Sequence, residues 1–226
     1  PLKIDNEKKF IFLSDGEKIK FERFYNCAGS GSLEIANLVT DEFNDLMILP
    51  ILGEYGIQTS GVKINTNLYP VPDPDLPFLG VHLTPRTNGT ILIGPNAVPA
   101  IQKDIQKLEL SDALLFIKRL QTHFNLFLSN IQNYRNHALP EITLNPKAKF
   151  KYRSMQFLDE NNRDSLDLEM IQTTYGIRPQ LLNKQTLNFV NDFLYKEIEG
   201  NLHVVNAVSP AFTSCLALGE YLTKEI

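Results

Sequence analysis

Two side chains of this sequence stand where they could do chemistry, His82 and Arg178. His82 is the only group in its apolar run that titrates near neutral pH. It is either a site residue or a histidine packed with hydrogen-bond partners. Arg178 follows Tyr175-Gly-Ile in an extended segment. Its planar fork can bind a carboxylate through two parallel hydrogen bonds, although a lone arginine more often forms a surface ion pair.

A β-hairpin within the stretch from Tyr69 to Ala100 is predicted to position His82. Four prolines between Pro70 and Pro77 predict a rigid extended loop ahead of it. The strands are predicted at Phe78–Leu83 and Thr90–Ile93. The turn between them contains Asn-Gly, which tolerates the positive φ of a tight hairpin.

Other strands are predicted on both sides of this hairpin. Lys9–Leu13 and Lys18–Phe21 flank a Ser-Asp-Gly turn, which favours a second hairpin. Met47–Leu52 and Tyr55–Thr59 are predicted as two strands interrupted at Gly53. Near the C-terminus, Leu202–Asn206 is a further predicted strand.

Two helical regions and one charged region are also predicted. Ser111 is a good N-cap for a helix through Ile131, whose apolar stripe is expected to face the core: Leu114, Ile117, Leu120, Phe124, Phe127, Leu128 and Ile131. Residues 145–168 carry mixed charges and predict a solvated face or loop. Ser209 and Pro210 predict the start of a C-terminal helix.

A strand-turn-helix near the N-terminus invites comparison with dinucleotide-binding folds. Phe24–Ala28 is a predicted strand, Gly29-Ser-Gly follows it, and Leu33–Leu38 begins a helix. The third glycine position is Glu34, whose carboxylate would repel a pyrophosphate. A tight turn that needs positive φ is therefore an equal alternative, and no complete G-x-G-x-x-G occurs in the chain.

Composition narrows the classes of function. The 226 residues are 43% hydrophobic with a net charge of −4, and no basic patch predicts nucleic-acid binding. No apolar run predicts a membrane span. Cys27 and Cys215 lie in apolar surroundings and predict buried thiols in a reducing compartment, with a disulfide as the alternative. We expect a cytoplasmic protein. Four histidines without metal-ligand spacing predict no metal site.

Four blocks resemble the L-2-hydroxyglutarate oxidases and dehydrogenases, FAD enzymes of the D-amino-acid-oxidase-like superfamily. They are Phe24–Gly29, Tyr69–Ala100, Tyr175–Gln180 and His203–Glu220, in the family's order. The resemblance implies an α/β (or α+β) fold. Residues 1–44 and 171–226 would form a partial FAD-binding domain. Residues 45–170 would form a substrate domain with a largely antiparallel sheet covered by helices.

The resemblance covers only the downstream portion of such an enzyme, because the N-terminal glycine-rich element is missing from the sequence. We therefore expect a fragment, or a partner of a separate N-terminal FAD-binding half. Two departures from the family pattern are Ile177 and Pro179, which flank Arg178. A third is Leu52, where the family usually has an arginine.

The implied activity is FAD-dependent oxidation of a small 2-hydroxy dicarboxylic acid, with L-2-hydroxyglutarate the first substrate to try. His82 would be the base and Arg178 the carboxylate clamp. Neutral substrate contacts would come from Asn96, Gln180 and Tyr55, although Tyr55 could equally pack on a sheet face. The expected FAD contacts are Ala28, Gly29, Asn206, Ser209, Pro210, Ala211 and Thr213.

Two other functions fit the same residues. An amino-acid or amine oxidase of the superfamily would keep the flavin and change the clamp. A non-catalytic binding module would have lost its nucleotide-binding half.

Overall fold

The computed structural model describes residues 3–61, 63–71, 80–101, 113–158, 167–208 and 211–224. Most of the predicted proline-rich loop, the Ser111 cap and the pair Ser209 and Pro210 lie outside these residues. The chain divides into two compact units. Unit 1 comprises Pro1–Ile48 and Pro179–Ile226, and unit 2 comprises Leu49–Arg178. Helices and mostly antiparallel sheets are combined, so the α/β (α+β) class is confirmed.

The first sheet of unit 1 contains the predicted N-terminal hairpin. Strands β1 (Lys3–Asp5), β2 (Phe10–Phe12) and β3 (Lys18–Lys20) pair antiparallel in chain order. Gly16 adopts φ +91° in the turn between β2 and β3, a conformation that glycine reaches without steric cost. The prediction of this hairpin is confirmed.

The second sheet of unit 1 joins segments from both ends of the chain. Strand β11 (Asn201–Asn206) lies between β10 (Leu194–Ile198) and β4 (Tyr25–Asn26), and its pairing with β4 is parallel. After β4, a 3₁₀ turn at Gly29–Gly31 leads into the short helix α1 (Ser32–Ala36). The core beside α1 consists of Leu33, Ala36, Phe43, Ile48, Leu181 and Val205.

The C-terminal helix begins later than predicted. Helix α5 runs from Cys215 to Lys224, whereas residues 211–214 form turns. The Ser-Pro signal therefore does not mark the first helical turn. Leu218 and Leu222 of α5 pack on Leu202 and Val204 of β11. Helix α1 and the turn before it contact the opposite side of β11.

The sheet of unit 2 is built around one long strand, β5 (Leu46–Ser60), which begins in unit 1. Strands β6 (His82–Pro85), β7 (Ile91–Gly94) and β8 (Val98–Pro99) give the order β6-β7-β5-β8. Strand β9 (Asp167–Asn183) also pairs with β5.

The predicted hairpin is present as β6 and β7, with Leu83 opposite Ile93 and Gly89 at φ +82° in the turn. The predicted interruption of β5 at Gly53 is wrong, because the strand continues through it. A Cβ on Gly53 would lie 2.8 Å from the Cβ of Pro95. This glycine therefore permits a close approach instead of ending a strand.

In the described part of the chain, three α-helices lie between β8 and β9: α2 (Ala113–Ser129), α3 (Tyr134–Thr143) and α4 (Pro146–Ser154). Helix α4 contributes Phe150 to the main core, which it shares with Val81, Leu83, Ile91, Ile93 and Leu158. Among the described residues, no helix is both long and apolar enough to cross a bilayer.

The prediction that the apolar stripe of α2 faces the core is wrong. The exposed fraction is 75% for Leu114 and 59% for Phe124, and Ile117, Leu120 and Leu128 are exposed as well. The helix instead turns a mixed face inward, because backbone carbonyls there need donors. Arg119 donates to Ile101 O at 2.9 Å, and His123 Nε2 lies 2.9 Å from Ala100 O.

The charged region is not simply a solvated face or loop, because residues 146–154 form α4. Lys149 is only 3% exposed, and its Nζ donates to Glu141 O at 2.7 Å and contacts Glu141 Oε2 at 3.3 Å. Arg153 forms a second ion pair with the same carboxylate. One buried carboxylate thus joins α3 to α4.

The prediction of buried cysteines is also wrong, since Cys27 and Cys215 are free and exposed.

Glu141→Gln should destabilise unit 2 by about 3–5 kcal/mol, because it leaves the Lys149 ammonium buried without a counter-charge. The free energy of unfolding in urea measures this loss. Glu220→Gln is the control, since Glu220 and Lys224 form an exposed pair on α5 and the free energy should change little. Equal effects of the two substitutions would contradict the structural role of Glu141.

Candidate active site

His82 is the first residue of β6 and pairs with Gly94 of β7. Because side chains alternate along a strand, the core positions Val81 and Leu83 direct His82 to the opposite face of the sheet. Its Nδ1 is buried, and no described residue offers it a hydrogen bond. Burial lowers the pKa of His82, and the positive charge of Arg178 lowers it further. The imidazole is therefore neutral at pH 7, the state that a base requires.

Gly94 leaves room for an aromatic ring beside His82. Its φ is +142°, and a Cβ there would lie 2.8 Å from Tyr55 Cδ1 and 2.7 Å from Glu54 O. No L side chain fits that space without displacing backbone. Because Gly94 has no side chain, the ring of Tyr55 can lie against Gly94, the residue that pairs with His82.

Arg178 is the last residue of unit 2 and lies in β9. The strand is close to β5, since Gly176 O is 3.7 Å from where a Cβ on Gly53 would be. Burial lowers the pKa of the Arg178 guanidinium, and an electrostatic interaction with Tyr55 opposes that effect. His82, Tyr55 and Arg178 therefore form one electrostatic group within unit 2.

The two predicted amide contacts have partners of their own. Asn96 Oδ1 accepts from the Glu54 amide at 2.7 Å, and Asn96 Nδ2 donates to Glu54 Oε2 at 2.8 Å. Gln180 belongs to unit 1, where its Nε2 donates to Val190 O at 3.3 Å. The structure thus engages both amides locally, and their contact with substrate stays a prediction.

Tyr69 is a site neighbour that the sequence did not reveal. Its ring centroid lies 4.5 Å from that of His82. The bridge between Leu68 and Leu83 holds it there, with backbone hydrogen bonds of 2.9 and 3.0 Å. No periodicity connects position 69 to position 82, because the contact arises from this bridge across the loop.

In unit 1, the turn after β4 is fixed by short polar contacts. Asn26 Nδ2 donates to Ser32 O at 2.7 Å, and Asn26 Oδ1 accepts from the Ala28 amide at 3.4 Å. Ser32 Oγ donates to Gly29 O at 2.7 Å. Gly29 adopts φ +55°, as the tight-turn alternative requires.

The remaining candidate residues of unit 1 lie after β11. Asn206 Nδ2 donates to Asp192 O at 2.7 Å and to Val190 O at 3.1 Å. Ala211 and Thr213 lie in the turn ahead of α5. Ser209 and Pro210 lie outside the described residues.

Comparison with known proteins identifies the class of molecule. A family profile described as "FAD dependent oxidoreductase" matches residues 3–225. The chain belongs to this family. FAD is the cofactor of the family's members.

The most similar curated relatives include two L-2-hydroxyglutarate dehydrogenases named as mitochondrial. The Mus musculus protein is 31% identical over 237 residues, which cover 94% of this chain and 46% of the relative. The Nematostella vectensis protein is 32% identical over 228 residues, which cover 95% and 47%. The chain thus spans about half the length of these relatives. A solved structure, L-α-glycerophosphate oxidase from Mycoplasma pneumoniae, aligns with a TM-score of 0.47 at 18% identity, covering 94% of this chain and 47% of that one.

The turn in unit 1 leaves its backbone open at Gly29. No described atom lies within 4 Å of where a Cβ on Gly29 would be, so a ligand can approach the backbone there. Cys27, Ala28 and Gly29 are exposed along this turn. The neighbouring His203 has a buried Nε2 for which the described residues offer no hydrogen bond.

Arg178→Ala should raise the pKa of His82 towards its ordinary value of 6.5, because a positive charge that disfavours imidazolium is removed. Arg178→Lys keeps the charge and should leave the pKa nearly unchanged. An NMR titration of the His82 ring measures both values in this chain. An unmoved pKa in Arg178→Ala would show that the guanidinium does not act on the imidazole.

Proposed function

We propose that the protein containing this chain oxidises a 2-hydroxy dicarboxylic acid, L-2-hydroxyglutarate, to the 2-oxo acid. The observation that carries the proposal is the group of His82, Tyr55 and Arg178 in unit 2, which combines a neutral imidazole with a half-buried guanidinium. Such an oxidation needs a base for the hydroxyl proton and a cation for a carboxylate. The names of the relatives support the same substrate at about 30% identity.

The proposed base is His82. Its lowered pKa keeps the imidazole unprotonated at neutral pH, so a ring nitrogen can accept the proton of the substrate hydroxyl. The ring of Tyr69 packs against the imidazole, with ring centroids 4.5 Å apart. Loss of that proton strengthens electron donation from the α-carbon, which favours departure of the hydride.

The proposed carboxylate clamp is Arg178. A guanidinium that is partly removed from water binds a carboxylate more strongly than an exposed one does, because the effective dielectric constant is lower. The same charge holds the pKa of His82 low. One residue would therefore both bind the substrate and keep the base unprotonated.

The proposed cofactor contacts lie in unit 1, at Ala28 and Gly29 and at Asn206, Ala211 and Thr213. Bound FAD supplies the two-electron acceptor for the oxidation. Unit 1 would then be the partial FAD-binding domain and unit 2 the substrate domain, with further FAD contacts from a separate N-terminal half. A cytoplasmic location stays a prediction, while the animal relatives are named as mitochondrial.

His82→Asn should lower kcat for L-2-hydroxyglutarate by about 10²–10⁴-fold with little change in KM, because it removes the base and keeps the site's polarity. In the unsubstituted enzyme, activity should fall as pH drops through the lowered pKa of His82, that is, below 6.5. Steady-state pH profiles test both points. The variant should lose this acid limb, and a retained limb would assign it to another group.

Arg178→Ala should lower kcat/KM for L-2-hydroxyglutarate at least about 30-fold, the equivalent of roughly 2 kcal/mol for a lost charge partner. Arg178→Lys should recover only part, since a point charge cannot reproduce a two-bond fork. The measurement compares L-2-hydroxyglutarate with monocarboxylic analogues that lack one carboxylate or the other.

The loss should disappear for the analogue without the carboxylate that Arg178 binds. Equal losses for every substrate would assign Arg178 a structural role and leave the dicarboxylate unsupported. Arg86→Ala, on the exposed hairpin turn, is the matched control and should behave like the unsubstituted enzyme. L-Glutamate tests the amino-acid oxidase alternative, because it differs from the proposed substrate only at the α-substituent.

A further inference from the structure

We propose that His203 is a positioning residue, which fixes the amide of Asn26 and through it the turn from Ala28 to Gly31. His203 lies in the middle strand of its sheet and is fully buried. Asn26 is its partner in β4, and Asn26 Nδ2 lies 3.2 Å from His203 Nδ1. The consequence for FAD rests on the function proposed above, in which Ala28 and Gly29 contact the cofactor.

The hydrogen bonds determine the orientation of the amide and the tautomer of the ring. A carbonyl such as Ser32 O can only accept, so the atom 2.7 Å from it must be the amide nitrogen of Asn26. The amide's second hydrogen then points to His203 Nδ1, which must be the unprotonated nitrogen. The ring proton therefore lies on Nε2.

Two of the bonds that shape the turn depend directly on this orientation. The oxygen of the Asn26 side chain accepts from the Ala28 amide, and its nitrogen donates to Ser32 O. Ser32 Oγ closes the turn onto Gly29 O, and the Gly31 amide donates to Ala28 O at 3.0 Å. Without an acceptor at His203 Nδ1, the amide loses one of its two donor contacts and can rotate.

Burial maintains the arrangement at neutral pH. It lowers the pKa of His203, so Nδ1 stays unprotonated and able to accept. Phe24 packs edge-on against the imidazole with ring centroids 5.2 Å apart, which restricts the ring from the other side. His203 thus transmits the position of β11 to the turn through a single side chain.

The test uses two substitutions that each keep one end of the imidazole. His203→Asn keeps an acceptor near the position of Nδ1, and His203→Gln keeps a polar group only near Nε2. Val204→Ala is the control, because Val204 packs towards α5 on the other face of the same strand. Amide hydrogen exchange of Ala28 and Gly31 is measured in this chain, and FAD dissociation is measured by flavin fluorescence in the full-length protein.

His203→Gln should speed exchange at the turn and FAD dissociation about tenfold, the effect of one lost buried hydrogen bond. His203→Asn should restore both rates. Val204→Ala should lower the thermal midpoint without selective exchange at the turn. The proposal is overturned if His203→Asn is no better than His203→Gln, or if the turn exchanges normally in both. Faster exchange with unchanged FAD dissociation would support the positioning role and instead contradict Ala28 and Gly29 as cofactor contacts.

Discussion

The candidate site in unit 2 depends on the absence of one side chain, at Gly94. This residue pairs with His82 on one strand, and a Cβ on it would collide with Tyr55 and with Glu54 O on the other. A side chain at this position would therefore displace Tyr55 or the backbone at Glu54 from beside the residue that pairs with His82. The partly buried guanidinium of Arg178 in the same unit interacts electrostatically with both side chains, Tyr55 and His82. Burial lowers the pKa of His82 and this guanidinium lowers it further, whereas Tyr55 opposes the effect of burial on the pKa of Arg178.

Local signals made part of this structure predictable. The turns at Ser14–Gly16 and Pro85–Gly89 combine glycine with short polar residues, so both hairpins could be predicted from a few adjacent residues. Helical periodicity also located α2, but it did not show which face is buried. That choice depends on the carbonyls of Ala100 and Ile101, which attract Arg119 and His123 inward and leave the apolar stripe exposed.

Long-range contacts could not be predicted in the same way. The mixed charges around Lys149 predicted a solvent-exposed segment. Nothing in that segment shows that Lys149 is buried against the buried carboxylate of Glu141. The contact of Tyr69 with His82 was equally hidden. For His82 and Arg178, only the resemblance to a family suggested a common site, and their roles stay predictions. Burial lowers the pKa of both His82 and His203, but of the two only His203 has a ring nitrogen in a described hydrogen bond.

The pairing of β4 with β11 sets an order for biosynthesis. Asn26 and His203 are separated by 177 positions, and the whole of unit 2 is encoded between them. Because the ribosome makes the chain from its N-terminus, every residue of unit 2 exists before β4 can meet its neighbouring strand. Loop-closure entropy rises slowly with the length of an unstructured connection, so an intervening segment that has already folded shortens the effective search. The turn from Ala28 to Gly31 must therefore wait until His203 has been synthesised before Asn26 acquires its buried partner.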